Sequence, residues 1–481
     1  MAAHVAILHG WSDTSESFHP LRDFLIGHGY QTAQIWLGDY ISMDDDVRIE
    51  DVGKRMEAVI RAAIAANQLA APFDLIVHST GALAAREWLS RFYPDGKGPD
   101  GKAAPVKKLI MLAPANFGSR LATLGKSMIG RVAKGWDTWF HTGKEMLIGL
   151  ELASAYQWDL ARRDLLDPVG GGIGPYGIDK VWPFVIVGSR PYPSGLRQII
   201  NENGSDGTVR CAAANLNAVG MTVDFSSGAD HPNVRPWSWR SGQVQFPFAV
   251  LPDRDHSLIH EPSKATTAQD ATAQKLGELI LSALNCATPD AYRATFTTWQ
   301  DLSEWTASLG KADAALTAEF KSDPPVPQML HQYLQVVSFV RDDQGQAVED
   351  YFLEFFAPEQ RDEDDAVFFH QHVLDDVHVN GQSASRRCLF VDHTDLIQGF
   401  YPRMRAAKKP QLAARISAAA LGENIRYFDS ALHTAAGYLV VHDEDVTRRT
   451  GLIGRLFRNC THLVEVIIPR QPIDKVFKLS R

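Results

Sequence analysis

Up to about residue 285, short apolar runs alternate with longer stretches whose apolar residues recur at helical spacing. Val5 to Leu8, Thr32 to Leu37, Asp74 to His78, Lys108 to Ala113, Phe184 to Gly188 and Phe246 to Leu251 are the runs, each of strand length. Between them, Ile49, Val52, Met56, Val59, Ile60, Ala63 and Ile64 share one helical face. Apolar strands separated by amphipathic helices are how a sheet covered on both faces reads. This part is therefore predicted to be α/β, with a doubly wound, mostly parallel sheet. Residues 117–167 break the rhythm with a mostly helical insertion containing Trp136, Trp139, Phe140, Met146, Leu147 and Ile148. Such a segment after a strand can cover a site as a lid or form an ordinary peripheral helix pair.

After Cys286-Ala287-Thr288-Pro289 the period changes. Tyr333 to Val340 alternates, meets the turn chemistry of Asp342-Asp343-Gln344-Gly345, and is followed by Tyr351 to Phe356, which predicts a hairpin. Cys388 to Asp392, Gly437 to His442 and His462 to Ile468 are further strands. The expected organisation is an α/β domain over 1–285 with its 117–167 insertion, a helical linker over 286–325, and an antiparallel β-sandwich-like domain over 326–481.

A length of 481 residues accommodates these parts at roughly 100 to 200 residues per domain. The net charge of −9 lacks the basic footprint that phosphate-backbone binding requires, so no nucleic-acid partner is expected. Cys211, Cys286, Cys388 and Cys460 are too scattered for a metal pair or a disulfide framework. No apolar run approaches the roughly 18 to 20 residues of a membrane span, and strand-like sequence begins almost at Met1. The expectation is a cytoplasmic protein without a cleavable signal, with export by a signal-independent route left open.

The segment Phe73 to Arg86 carries the strongest chemical signal. An apolar strand ends at His78 and helix formers begin at Thr80, so Ser79 sits where its hydroxyl can be lifted above the sheet. Gly81 permits the tight turn, whereas Val77 stands where the usual G-x-S-x-G pattern has a glycine. A serine hydroxyl needs a histidine base and a carboxylate to orient that base. Asp206 lies in Gly204-Ser205-Asp206-Gly207 and His256 follows the run 246–251, in the order this chemistry takes on α/β sheets. His260 and His231 are the rival bases. The backbone N–H groups of Thr80 and Trp11, the latter in His9-Gly10-Trp11, are candidate oxyanion donors.

Together, His9-Gly10-Trp11, His78-Ser79-Thr80-Gly81, Ser205-Asp206-Gly207-Thr208-Val209 and Asp255-His256 resemble the α/β-hydrolase family, serine lipases and esterases in particular. Pro114 to Ser119 and Glu151 to Ser154 look like the segment that opens and runs through a lipase lid. The resemblance covers residues 1–285. It implies hydrolysis of carboxylic esters through an acyl-enzyme on Ser79, with neither metal nor organic cofactor; the apolar insertion at 117–167 and the lipase-like Pro114 to Ser119 segment favour a lipid or phospholipid ester over a small polar one. Acyl transfer with the same residues and a non-catalytic hydrolase-fold binding module are the alternatives. The C-terminal domain is a candidate for peripheral membrane or protein contact, or for a packed structural appendage. His370, His372 and His378 read as an exposed strand and turn, and Asp44-Asp45-Asp46 as acids before a helix; no metal is expected at either.

Overall fold

The computed structural model describes residues 4–11, 13–122, 143–193, 200–226, 232–264, 275–312, 330–357, 363–401, 411–419, 421–427, 439–443 and 456–479. They form two compact units: 1–167, 171–217 and 239–331 in the first, and 168–170, 218–238 and 332–481 in the second. Among the described residues no helix is long and apolar enough to cross a membrane.

The first unit is built on a six-stranded sheet in the order Phe248–Leu251, Trp182–Gly188, Val106–Leu112, Phe73–His78, Val5–Leu8 and Ile35–Gly38, parallel throughout. Every residue of Phe73–His78 and Trp182–Gly188 is buried; strands covered on both faces need continuous apolar sequence. Thr32–Gln34 is a 3₁₀ turn, and the strand starts at Ile35. The helix Pro289–Ala312 packs beside the edge strand: Ser303 Oγ accepts from Val250 N at 3.0 Å and Thr306 Oγ1 donates to Val250 O at 2.7 Å. The described part of the 286–325 segment thus belongs to the first unit. Of the 117–167 insertion, Lys144–Leu150 and Ala155–Asp164 are helices; Trp136, Trp139 and Phe140 lie outside the described residues.

From Val5–Leu8 the chain moves to Ile35–Gly38 on one side, whereas from Phe73–His78 it moves to Val106–Leu112 on the other. Such a reversal opens a crevice at the carboxyl ends of adjacent strands. Trp11 and Ser79 both follow those ends.

The second unit holds a six-stranded sheet in the order Leu374–Val379, Arg386–Asp392, Tyr333–Asp342, Thr461–Ile468, Val219–Asp224 and Asn233–Pro236. Thr461–Ile468 runs parallel to both of its neighbours and the other pairs are antiparallel, so this sheet is mixed. A three-stranded antiparallel sheet, Tyr351–Phe356, Gln411–Ala418 and Leu439–Asp443, accompanies it. Val223, Val340 and Ile468 from the larger sheet share a buried cluster with Tyr351 and Ile416 from the smaller.

Three local expectations are corrected. Residues 218–238 fold with the second unit, because Val219–Asp224 finds its pairing partner in Thr461–Ile468. The turn after Val340 forms, with Gly345 at φ +87° and Val348 N donating to Val340 O at 3.0 Å. Tyr351–Phe356 nevertheless crosses to the smaller sheet, where it pairs with Gln411–Ala418 and Tyr351 joins the shared core. His370 and His372 lie in a π-helical turn, Phe369–Val373, which buries Phe369 and Val373, and not on a strand.

Candidate active site

Phe73–His78 delivers the chain to Ser79, whose φ of +52° is rare for a residue with a side chain. Its N–H still donates to Leu112 O at 3.1 Å, so the peptide stays tied to the sheet while the side chain turns away. The helix Gly81–Phe92 begins two residues later. Room for the turn comes from two glycines. A Cβ on Gly81 would lie 2.6 Å from His9 O, and one on Gly10 would lie 2.7 Å from the Ser79 Cβ. Val77, at the position of the missing glycine, is fully integrated in the strand.

Asp206 and His256 reach Ser79 from later loops. His256 Nε2 lies 3.0 Å from Ser79 Oγ, and its Nδ1 lies 2.8 Å from Asp206 Oδ2. Asp206 is fully buried, and its other oxygen accepts from Thr208 N at 2.9 Å and Val209 N at 2.7 Å. A carboxylate only accepts, so Nδ1 of His256 carries the proton and Nε2 is left to accept from the serine hydroxyl. The backbone adds a further tie, His256 N to Asp206 O at 3.0 Å. This arrangement can remove a proton from Ser79 and return it to a leaving group.

His260, one of the rival bases, is hydrogen-bonded to neither Ser79 nor Asp206. Its ring packs on Phe18 with centroids 4.7 Å apart, and burial holds its pKa below the ordinary imidazole value. His231 lies outside the described residues. The N–H groups of Trp11 and Thr80 have no hydrogen-bond partner among the described residues, as groups reserved for an oxyanion should.

Several supporting residues escaped sequence reasoning. His78 is buried behind Ser79, its Nε2 lies 3.2 Å from His256 O, and burial reinforced by His256 pushes its pKa well down. Neutral and donating, it holds the loop that carries His256. Tyr40 places its hydroxyl 2.8 Å from Thr80 Oγ1 and stacks on His9 at 4.8 Å. Arg86, with no exposed surface, donates to both oxygens of the equally buried Asp164 at 2.8 and 3.0 Å and to Asn116 O at 2.8 Å. That pair fastens the helix behind Ser79 to Ala155–Asp164. Arginines ordinarily read as surface, so only the helical position of Arg86 on an otherwise apolar face signalled burial.

A cavity of about 460 Å³ opens onto Ser79 and His256, with Trp11, Thr80, Leu121 and Ile200 in its walls. The chain has an α/β-hydrolase fold with an added β unit. Two solved structures of phospholipase PlaB from Legionella pneumophila, one in complex with thio-NAD, are similar to it over 99% of this chain and 96% of theirs. Sequence identity is 24% in both cases, and the TM-scores are 0.74 and, for the complex, 0.76. No protein-family model matches the sequence, and no curated protein sequence matches it.

Proposed function

We propose that this protein is a serine hydrolase that cleaves carboxylic esters of lipids through an acyl-enzyme on Ser79. The observation that carries the reading is the continuous contact from Ser79 Oγ through His256 to Asp206, at 3.0 and 2.8 Å, on a backbone turn at φ +52°.

In this reading Ser79 Oγ attacks the ester carbonyl carbon as its proton passes to His256 Nε2. Asp206 fixes the tautomer and stabilises the imidazolium. The carbonyl oxygen gains negative charge and is held by the N–H groups of Trp11 and Thr80. Collapse breaks the bond to the alcohol, which leaves with the proton from His256. Water then repeats the sequence on the acyl-enzyme and frees the acid. No step calls for a metal or an organic cofactor. The lipid preference is supported by Leu121, Leu150 and Ile200 in the cavity wall and by likeness to a protein named a phospholipase. Peripheral contact with lipid or protein through the C-terminal unit is supported by exposed Val476, Phe477 and Leu479.

The test is p-nitrophenyl butyrate turnover together with labelling by a fluorophosphonate. Ser79→Ala should lower turnover by about 10³-fold or more and abolish labelling. An unchanged rate refutes the assignment.

A further inference from the structure

The cavity has two chemically distinct ends. Leu121 and Leu150 are tied together at one: Ser119 N donates to Leu150 O at 3.0 Å, Leu121 N to Ser119 Oγ at 3.2 Å, and the Ser119 hydroxyl to Thr208 O at 2.6 Å. The other end gathers Asp13, Ser17, His260 and Glu261. The Ser17 hydroxyl donates to Asp13 Oδ1, and His260 packs on Phe18, the residue after Ser17. No lysine or arginine is among the described residues that line the cavity.

His260 is the informative member. It is 8% exposed, lines the cavity, and neither ring nitrogen has a hydrogen-bond partner among the described residues. A buried polar group is ordinarily satisfied, so an idle imidazole in a substrate cavity is a group kept for a ligand. Asp13 has no salt-bridge partner among the described residues; the Glu261 carboxylate has the half-exposed Lys264 at 3.1 Å, and Arg254 Nη1 donates to Glu261 O at 3.2 Å.

We propose that the His260, Asp13 and Glu261 end binds the alcohol portion of the ester and selects an ammonium-bearing, zwitterionic headgroup over an anionic one. The apolar end takes the acyl chain, and this assignment rests on the esterase reading above. An ammonium carrying N–H bonds meets two carboxylates and an imidazole nitrogen able to accept, whereas a net anionic headgroup meets the same carboxylates with Lys264 beside Glu261 as their described counter-charge.

The test uses dihexanoyl phosphatidylethanolamine and dihexanoyl phosphatidylglycerol as monomers, which removes attraction or repulsion at a lipid surface. The kcat/KM ratio, ethanolamine over glycerol lipid, should be about tenfold in the parent protein. Asp13→Asn and Glu261→Gln should each reduce it by roughly threefold, and Lys264→Gln, which unpairs Glu261, should raise it. Because the ratio is taken within each variant, loss of folded protein cancels. A parent ratio near or below one, or a ratio unmoved by all three variants, overturns the proposal. If the parent protein fails to hydrolyse even p-nitrophenyl butyrate, the esterase reading itself falls; turnover of that ester with an unselective ratio removes only the headgroup assignment.

Discussion

Gly10 and Ser79, from loops after adjacent strands, approach so closely that a Cβ on Gly10 would sit 2.7 Å from the Ser79 Cβ and 3.1 Å from His78 Nδ1. The fit leaves no room for even one methyl group. Gly10→Ala should displace the elbow, costing about 1–3 kcal/mol of stability and roughly 10²-fold in esterase kcat/KM, since an ångström of misplacement is enough for that loss. Urea unfolding and ester kinetics on the same preparation check both figures, and full activity would show that the elbow tolerates displacement.

Asp206 separates geometry from charge. In Asp206→Asn the amide oxygen can keep the bonds from Thr208 N and Val209 N, but the amide nitrogen then faces His256 Nδ1 and favours the wrong tautomer. The expected result is a kcat lower by about 10²–10⁴-fold with KM little changed. Steady-state kinetics decide it, and a stability loss in place of a kcat loss would assign Asp206 a structural role only.

The buried pair Arg86 and Asp164 should matter for folding more than for chemistry. Asp164→Asn leaves the guanidinium buried without its counter-charge, which typically costs about 3–5 kcal/mol. Chemical denaturation should show the loss. A change below about 1 kcal/mol would mean that Asn116 O and its neighbours satisfy Arg86 unaided.

His78 and His260 also make stability depend on pH. Burial holds both below the ordinary value of 6.5 in the folded chain, so below pH 6.5 the unfolded chain binds more protons than the folded one. Stability is therefore full above 6.5 and falls with pH down to the folded values. Each imidazole contributes at most about 1.4 kcal/mol per pH unit. Urea midpoints measured between pH 6.5 and 5 should fall less steeply in His78→Gln than in the parent; equal slopes would mean that His78 titrates normally.

Much of the first unit is legible because its signals are local. Val5–Leu8 and Phe73–His78 show as apolar runs, and the order of Ser79, Asp206 and His256 follows from where such runs end. The second unit is harder because strand pairing is not local. Nothing near Val219–Asp224 reveals that its neighbour is Thr461–Ile468, and a turn as clear as Asp342 to Gly345 did not keep Tyr351–Phe356 in the same sheet. The roles of His78 and Tyr40 stayed hidden for another reason. Their importance lies in what they touch, and a histidine or tyrosine turned toward the site has the same local signature as one facing solvent.

The placement of Val219–Asp224 has a consequence for how the molecule is assembled. Thr222 bonds Glu465 across 243 positions of sequence, so on the ribosome this strand emerges long before the neighbour that will flank it. Until then its backbone groups on that side are an open edge, the kind that recruits foreign strands. A chain stopped after residue 331 would retain the whole hydrolase-like sheet and still carry that edge permanently, and aggregation would then report an unfinished partner sheet, not a defective catalytic fold.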